Sequence, residues 1–497
     1  MTRSGNKNYL LNNVFANVAQ AILSAAIMFG LYRLINSSLG VELLGVWSVV
    51  FATVSISRLV EFGLSAALMR FIARDLARNN PDRAAVAIDT VMIALLIVVA
   101  ILIPITKPVF EKMLALLFNN DFLDSALQLL PYALVSVFLT VGAGVSQGGL
   151  DGIQRMDIRA GIVLCGQALL FGLSALLMPE YGLLGLAWAQ IAQGVFLCIV
   201  GRIVLSCYFP SIRFYRFRWS SRVLREMLRY GLNVQVAAIF MLLFESLTKM
   251  MMVRFGGAAS AGYFEMANQA ILKTRSVIVS ANRAIVPHVA SLKEMAPENI
   301  SSLYHKNLRI LSLISLPIFA LLAAYSPLLS IIILNQVQNE FVFLMVLLSF
   351  AWAVNTLCAP AYFVNMGSGA VGKNTFSHAI IGLLNLTLGL LLGIVYGATG
   401  VAVAFSVSLI LGSLFLVFSF TERNSGEVCR QSSKNWFILP ITCIPVALLS
   451  LALPSGPLDI SSLTIIAFIL APPLLLGLAA WLHPGRIDLQ RFLFARA

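Results

Sequence analysis

Charge is scarce in this sequence. Lys, Arg, Asp and Glu make up 11% of the residues, against 59% hydrophobic ones. A soluble domain carries about 25% charged residues, so a water-soluble globule is excluded. Paired cysteines are missing as well. Cys165, Cys198, Cys207, Cys358, Cys429 and Cys443 show no CxxC and no regular spacing, which argues against a disulfide framework or a zinc site. The histidines (His288, His305, His378, His483) form neither HExxH nor a triad. No metal, no cofactor and no catalysis is therefore expected. A near-match to a phosphate-binding loop, Gly367-Ser-Gly-Ala-Val-Gly-Lys373-Asn-Thr375, has Asn374 where Ser or Thr is needed. It follows no strand, and it reads as a tight hairpin with a lysine. Arg3 and Lys7 precede an apolar stretch from about Asn12 to Ile35, too long for a signal peptide and without a small-residue cleavage site, so it reads as a retained first span.

What is abundant is long apolar runs. A membrane-spanning helix needs about 20 such residues to cross roughly 30 Å of hydrocarbon. Spans are expected near 12–36, 43–64, 84–106, 126–148, 160–178, 184–207, 230–253, 260–287, 308–334, 341–363, 376–395, 400–420, 436–453 and 462–482. With short loops these use nearly the whole length, leaving no room for an extramembrane domain. The net charge of +13 is distributed asymmetrically. Arg70, Arg74, Arg78 and Arg83 follow the second span, and Arg213, Arg216, Arg218, Arg222, Arg225 and Arg229 follow the sixth; the opposite side has Lys107, Lys112 and Arg254. Basic loops stay cytoplasmic, which puts both termini there. The segment Arg213-Phe-Tyr-Arg-Phe-Arg-Trp219 interleaves bases with aromatics. Between two spans this reads as an interfacial anchor on anionic lipid rather than a nucleic-acid surface.

The chain also resembles itself. Gly40 and Gly45-Val46-Trp47 recur as Gly257 and Gly262-Tyr263-Phe264, with Arg58 and Arg275 following at the same distance. Tyr181-Gly-Leu-Leu-Gly185-Leu-Ala187-Trp-Ala189 recurs as Tyr396-Gly-Ala-Thr-Gly400-Val-Ala402-Val-Ala404, and Arg155 of a basic hairpin as Lys373. Both copies begin on the cytoplasmic side, so the repeats are parallel. The expected fold is an all-α integral membrane protein of about fourteen transmembrane helices. Two parallel six-helix lobes, 1–215 and 216–425, surround a central cavity, and residues 426–497 add two extra C-terminal spans. Transporters built from such repeats bind substrate between the lobes and alternate access by rocking.

Ionisable residues inside spans cost roughly 2.5–3.5 kcal/mol each at the centre, so they mark where chemistry is expected. Arg33, Arg202 and Arg283 stand near span ends and read as side chains snorkelling to the interface. Asp89, one turn inside the third span, reads as solvated. Arg58 and Arg275 are repeat counterparts only about 6 Å from mid-span at 1.5 Å per residue. On a wheel of about 100° per residue, Gln269, Lys273, Arg275, Ser276, Ser280, Asn282 and Arg283 share one half of the eighth span. That half suits an aqueous cavity. Arg58–Glu61 and Glu245–Lys249 are also spaced for helical ion pairs, which leaves a purely structural role open for them. The candidate substrate-binding set is Arg58, Arg275, Lys273, Lys249 and Arg283. Glu61 and Glu245 are candidates for ion coupling, because desolvation raises a carboxylate pKa while the neighbouring cation opposes it. Arginine suits a pyrophosphate, since its planar fork donates bidentately and keeps its charge when partly desolvated.

The early motif Leu39-Gly-Val-Glu-Leu-Leu-Gly-Val-Trp47, the paired Tyr-Gly-x-x-Gly-[Leu/Val]-Ala signatures at Tyr181 and Tyr396, the parallel lobes and the two extra helices resemble the multidrug/oligosaccharidyl-lipid/polysaccharide exporter superfamily. Within it the chain resembles the polysaccharide branch, the O-antigen and exopolysaccharide repeat-unit flippases. The resemblance implies transfer of an undecaprenyl-pyrophosphate-linked oligosaccharide from the cytoplasmic to the periplasmic leaflet of a bacterial inner membrane. It implies alternating access, ion coupling, contact with membrane lipids and with polymerase or assembly proteins of lipopolysaccharide synthesis, and a monomer. The related lipid II flippases use arginines on their first, second and eighth helices. Arg58 and Arg275 match the last two. The first helix departs: around Asn17 and Gln20 it has no arginine, and Arg33 lies too far outward.

Three other functions stay open. A multidrug or cation antiporter of the same superfamily predicts twelve spans and a carboxylate-led cavity. A membrane-bound sugar polymerase or ligase needs a catalytic face outside the membrane, and the longest outer loop, about 107–125, carries Lys107, Glu111, Lys112, Asp121 and Asp124 without a motif. A lipid-binding scaffold would share the whole pattern.

Overall fold

A computed structural model of the chain describes residues 7–61, 63–118, 120–209, 218–280, 289, 292–293, 295–421, 438–452 and 462–494. Among them all regular structure is helical. Helices α1 (Lys7–Leu39), α2 (Val41–Ser55), α3 (Leu64–Ala77), α4 (Pro81–Leu117), α5 (Asn120–Gly152) and α6 (Met156–Tyr208) precede α7 (Ser221–Ser280). Then come α8 (Asn299–Ala324), α9 (Ser326–Leu334), α10 (Asn339–Leu357), α11 (Ala359–Gly367), α12 (Val371–Thr421), α13 (Ile438–Leu448), α14 (Ser462–Leu482) and α15 (Gly485–Phe494).

Eight described helical segments are long and apolar enough to cross a membrane. The protein is a multi-pass membrane protein. With 53, 60 and 51 residues, α6, α7 and α12 are far longer than one crossing needs, and each is broken by one glycine. These are Gly182 (φ 56°, ψ −132°), Gly257 (φ 82°, ψ 176°) and Gly397 (φ 61°, ψ −143°). Each break separates two passes. The pairs α8–α9 and α10–α11 make one pass each, and α13 and α14 supply the two extra ones. All the expected spans thus find a helical segment among the described residues.

The repeat seen in the sequence is also a repeat of backbone geometry. Gly40 (φ 84°, ψ 166°) has nearly the conformation of Gly257, and Gly182 that of Gly397. A positive φ is open to glycine and strained for other residues. Five residues beyond Gly40 and Gly257 stand Gly45 and Gly262; three beyond Gly182 and Gly397 stand Gly185 and Gly400. A Cβ on Gly185 would lie 2.5 Å from the Leu177 carbonyl oxygen, and one on Gly400 2.0 Å from that of Leu392. Each signature therefore encodes a kink followed by a close backbone approach. The hairpin register needs one adjustment: the left-handed residue of the first copy is Gln154 (φ 60°) and that of the second is Gly369 (φ 79°). Matching amide bonds close both turns, Arg155 N–H to Leu150 O and Ala370 N–H to Asn365 O. Arg155 is thus the counterpart of Ala370 and not of Lys373.

By its contacts the chain forms two compact units, Met1–Gly262 and Tyr263–Ala497. In the first, α6 packs on α5 and α1, and α4 on α5. In the second, α10 packs on α8 and α12, while α13 and α15 both lie against α8. Leu439, Cys443 and Val446 of α13 bury themselves with Ala320 and Ala324 of α8 and Leu476 and Ala479 of α14. The two C-terminal passes are thereby tied into the second unit by apolar packing.

Candidate functional site

The second half of the kinked helix α7 gathers polar residues on one face. Glu265, Asn268, Gln269, Lys273, Arg275 and Ser276 fall within an arc of about 160° at 100° per residue. Asn268 is buried, and its Oδ1 accepts from the Trp352 indole Nε1–H of α10 at 3.2 Å. The indole so fixed presents its face to Arg275, whose guanidinium carbon lies 5.0 Å from the ring centroid. A cation within about 6 Å of an aromatic face is held by about 2 kcal/mol when desolvated.

No carboxylate pairs with Arg275 among the described residues. Its Nε is buried without a hydrogen-bond partner, although the side chain as a whole keeps partial exposure. Leaving a buried polar group unpaired costs about 1–3 kcal/mol. An aromatic face supports the cation without cancelling its charge, which a carboxylate would do. Arg275 therefore keeps a net positive charge inside a membrane helix.

In the same unit, Tyr362 of α11 meets His378 of α12 edge to face at 5.8 Å. The His378 Nδ1 is also buried without a hydrogen-bond partner. Asn355 Nδ2 donates to Ser413 Oγ at 2.7 Å. Lys273 lies two residues before Arg275, half-buried.

The other expected site residues lie elsewhere. The second span does not stay α-helical: it tightens into a 3-10 turn, Ile56–Glu61, and reverses at Gly63 (φ 67°). A Cβ on Gly63 would strike the Gly231 carbonyl oxygen at 2.5 Å. Arg58 sits in that turn, 44% exposed, and its Nε donates to Glu61 Oε1 at 3.0 Å. Glu245 pairs with Lys249 at 3.3 Å on the first half of α7, where Lys249 is buried and Glu245 exposed. The two candidate coupling carboxylates are therefore each matched by a cation of their own helical segment. Arg283 lies outside the described residues, as does most of the aromatic-basic segment, 210–217.

Two expectations need correction. Asp89 is fully buried rather than solvated, and Arg202 does not snorkel. Arg202 Nη1 meets Asp89 Oδ1 at 2.7 Å, and the Arg218 backbone N–H donates to Oδ2 at 3.3 Å. The physical reason is distance along the chain: partners contributed by other segments, Arg202 and the Arg218 guanidinium at 3.7 Å, compensate a carboxylate that looks isolated in the sequence. A second cluster forms where α3, α4 and the start of α7 meet. Glu226, on the first turns of α7, bridges Arg74 (2.7 Å) and Arg83 (2.8 Å), and buried Asp75 lies 3.1 Å from Arg74 and 3.6 Å from Arg83. The Arg74 hydrogen bond holds the Glu226 carboxyl below its ordinary range, against the opposing effect of burial.

Sequence reasoning passed over Glu265, buried and accepting from Gln269 at 3.1 Å. The Glu265–Gln269–Lys273 spacing of four was the available signal. Trp352 had none, because it joins the site from another helix. The glycine-lysine hairpin is the turn between α11 and α12, with the Lys373 ammonium on the Ser419 carbonyl at 2.5 Å.

A family model described as Polysaccharide biosynthesis protein matches residues 39–343. The chain belongs to that family. Its fold is that of solved transporters. A structure titled as the lipid II flippase MurJ in an inward closed conformation superposes with TM-score 0.73 at 12% identity, covering 97% of this chain and 99% of that one. An inward-facing multidrug resistance MATE family transporter of the MOP superfamily gives TM-score 0.67 at 15% identity, over 84% of this chain and 100% of that one. A MOP superfamily transporter from Pyrococcus furiosus, titled for the reverse polarity of its binding pocket, gives 0.60 at 16% identity, over 84% and 98%. No curated protein sequence matches the chain. Family and fold together support a flippase or transporter role.

Proposed function

We propose that this protein flips an undecaprenyl-pyrophosphate-linked sugar repeat unit from the cytoplasmic to the periplasmic leaflet of a bacterial inner membrane. It does so by alternating access coupled to an ion, with both termini cytoplasmic, as a monomer that works beside polymerase and assembly proteins. The observation that carries this reading is Arg275: a cation inside a membrane helix, backed by Trp352 and matched by no described carboxylate. A drug-cation exporter has no use for such a group, whereas a pyrophosphate headgroup does. Lys273 adds to the same positive surface. Arg58, Lys249 and Arg283 contribute as secondary contacts, and Glu61 and Glu245 exchange the coupling ion. The family description, polysaccharide biosynthesis, favours a repeat unit over lipid II as cargo.

The test is deletion of the gene in its host, with lipid-linked oligosaccharide measured in each leaflet and complementation by wild type or Arg275→Ala. Cytoplasmic-leaflet accumulation rescued by wild type but not by well-expressed Arg275→Ala is the expected result. Unchanged lipid-linked oligosaccharide and unchanged surface polysaccharide overturn the proposal in favour of the antiporter. Accumulation of lipid II alone reassigns the cargo.

A further inference from the structure

Inside the first unit, Trp47 of α2 meets Gln190 of the second half of α6: the indole Nε1–H donates to Gln190 Oε1 at 3.2 Å. The internal repeat supplies a control for that bond. The register that matches Gly45 to Gly262 makes Phe264 the counterpart of Trp47. The register that matches Tyr181 to Tyr396 makes Phe405 the counterpart of Gln190. In the second unit these counterparts also touch, as an edge-to-face aromatic pair with ring centroids 5.4 Å apart. Both phenylalanines are sealed, at 0% and 1% exposure. The fold can therefore close this junction with hydrocarbon alone. Packing does not demand a polar pair at the same place in the first unit.

The second unit has an indole–carboxamide bond of its own, Trp352 to Asn268, but from positions that are not the counterparts of Trp47 and Gln190. There the carboxamide is buried. In the first unit it is the more open partner, half-buried against a buried Trp47. An indole N–H only donates, so it orients the amide: Oε1 faces Trp47, and the Nε2 amino group faces away with both its hydrogens. Gln190 makes no other hydrogen bond among the described residues. Free donors inside a membrane span are costly against lipid and settle against water or a ligand.

The ligand group must accept hydrogen bonds. A polyprenyl tail offers no acceptor. A pyrophosphate offers several, but a neutral amide compensates its desolvation less well than an arginine does. The hydroxyl and carbonyl oxygens of a sugar are neutral acceptors that match a neutral donor. We infer that Gln190 is a sugar-binding residue of this protein, donating from Nε2 to an oxygen of the cargo's oligosaccharide, and that Trp47 is a positioning residue that fixes the amide's orientation. The inference rests on the flippase reading and adds sugar recognition on the unit that does not carry Arg275.

Full-length protein in nanodiscs is titrated with two lipids. One is the undecaprenyl-pyrophosphate-linked oligosaccharide extracted from the host deleted for this gene, and the other is undecaprenyl pyrophosphate without sugar. Gln190→Met keeps the length of the side chain and removes its hydrogen bonds. It is expected to raise the Kd for the oligosaccharide lipid about fivefold, the loss of one neutral hydrogen bond, and to leave the Kd for the bare lipid within about twofold. Trp47→Phe releases the amide from its orientation and raises the Kd for the oligosaccharide lipid alone, by about twofold. A bond that served only packing would move both lipids together. Melting curves report whether each variant is folded. If Gln190→Met does not fold, Trp47→Phe combined with Gln190→Phe decides, because it installs the aromatic pair of the second unit and should show the same split between the lipids.

The inference is overturned if the folded variant binds the oligosaccharide lipid like wild type, or weakens both lipids equally. It is overturned as well if wild type binds the two lipids with one affinity, and the flippase reading then still stands. If wild type binds neither lipid better than undecaprenol, the flippase reading fails with it.

Discussion

Gly45 packs against Gly262, its counterpart in the repeat: a Cβ on either would lie within 3.1–3.3 Å of the other's amide nitrogen. A Cβ on Gly45 would also fall 1.8 Å from the carbonyl oxygen of Ala258. Both obstacles are backbone, so no side chain can swing away. Gly45→Ala is expected to destabilise the protein by about 3 kcal/mol or more, the upper end for overpacking. Gly161→Ala, with nothing within 4 Å, should be neutral or slightly stabilising in its helix. Thermal melts of the two variants in the same detergent check the contrast. Equal melting temperatures refute the close approach.

Asp89 and Arg202 are a second pair whose loss is expected to be costly. Both are buried, and their atoms meet at 2.7 Å. Asp89→Asn leaves the Arg202 charge in place without its counter-ion, which costs about 3–5 kcal/mol at buried sites. Glu226→Gln acts on the exposed edge of its cluster, its side chain 40% exposed, where pairs are worth under about 1 kcal/mol. Folded yield and melting temperature should fall steeply for the first and barely for the second. The reverse order would mean that the Glu226 cluster, not Asp89, anchors this end of the first unit.

These two examples also show what the sequence could tell. The spacing of Gly40 and Gly45, and of Gly182 and Gly185, was legible because glycine records a backbone demand at its own position. The same demand recurred a repeat later. The spans were legible because a helix in hydrocarbon satisfies its own backbone within one long apolar run. Asp89 was misjudged because its partners, Arg202 and Arg218, come from other parts of the chain. Arg275 was found as an isolated charge, but Asn268 and Trp352, separated by 84 positions, show their relation only in three dimensions. Arg58 was paired with Arg275 by symmetry of sequence, yet the break of its helix at Ile56 gives it a different setting.

Protonation of His483 should loosen the C-terminal helix. The residue is buried between α14 and α15, where its Nδ1 accepts the Gly485 N–H at 3.2 Å and its Nε2 lies 3.5 Å from Ser312 Oγ. Burial, and then the charge of Arg309, lower its pKa below the ordinary histidine value. The folded state thus favours neutral imidazole. Stability from this group is fully present above the ordinary value of about 6.5 and is lost as pH falls through the lowered one. The Arg309–Asp488 pair at 2.7 Å holds α15 from the other side. Protection factors of the α15 amides, with the intrinsic pH dependence of exchange divided out, should fall from pH 7.5 to 5 in wild type. In His483→Asn they should become independent of pH. Protection factors equally pH-dependent in both proteins would refute the assignment.

Arg58 and Arg275 should not contribute equally, although the repeat makes them counterparts. Glu61 lies 3.0 Å from the Arg58 guanidinium and cancels most of its charge, and solvent screens what remains. Arg275 has an indole where Arg58 has a carboxylate. In proteoliposomes, Arg275→Ala is expected to slow transfer of lipid-linked oligosaccharide at least about tenfold, the equivalent of one charge-assisted contact. Arg58→Ala should slow it less than about threefold. Glu61→Gln supplies the decisive arm, since it frees the Arg58 charge. If Arg58 is a latent anion contact, Glu61→Gln tightens binding of undecaprenyl pyrophosphate, and Arg58→Ala in that background reverses the gain. If Glu61 instead exchanges the coupling ion, Glu61→Gln leaves binding unchanged and abolishes the dependence of transfer on the ion gradient. Equal loss in Arg58→Ala and Arg275→Ala would show that the Glu61 pair opens during transport and that both arginines meet the headgroup.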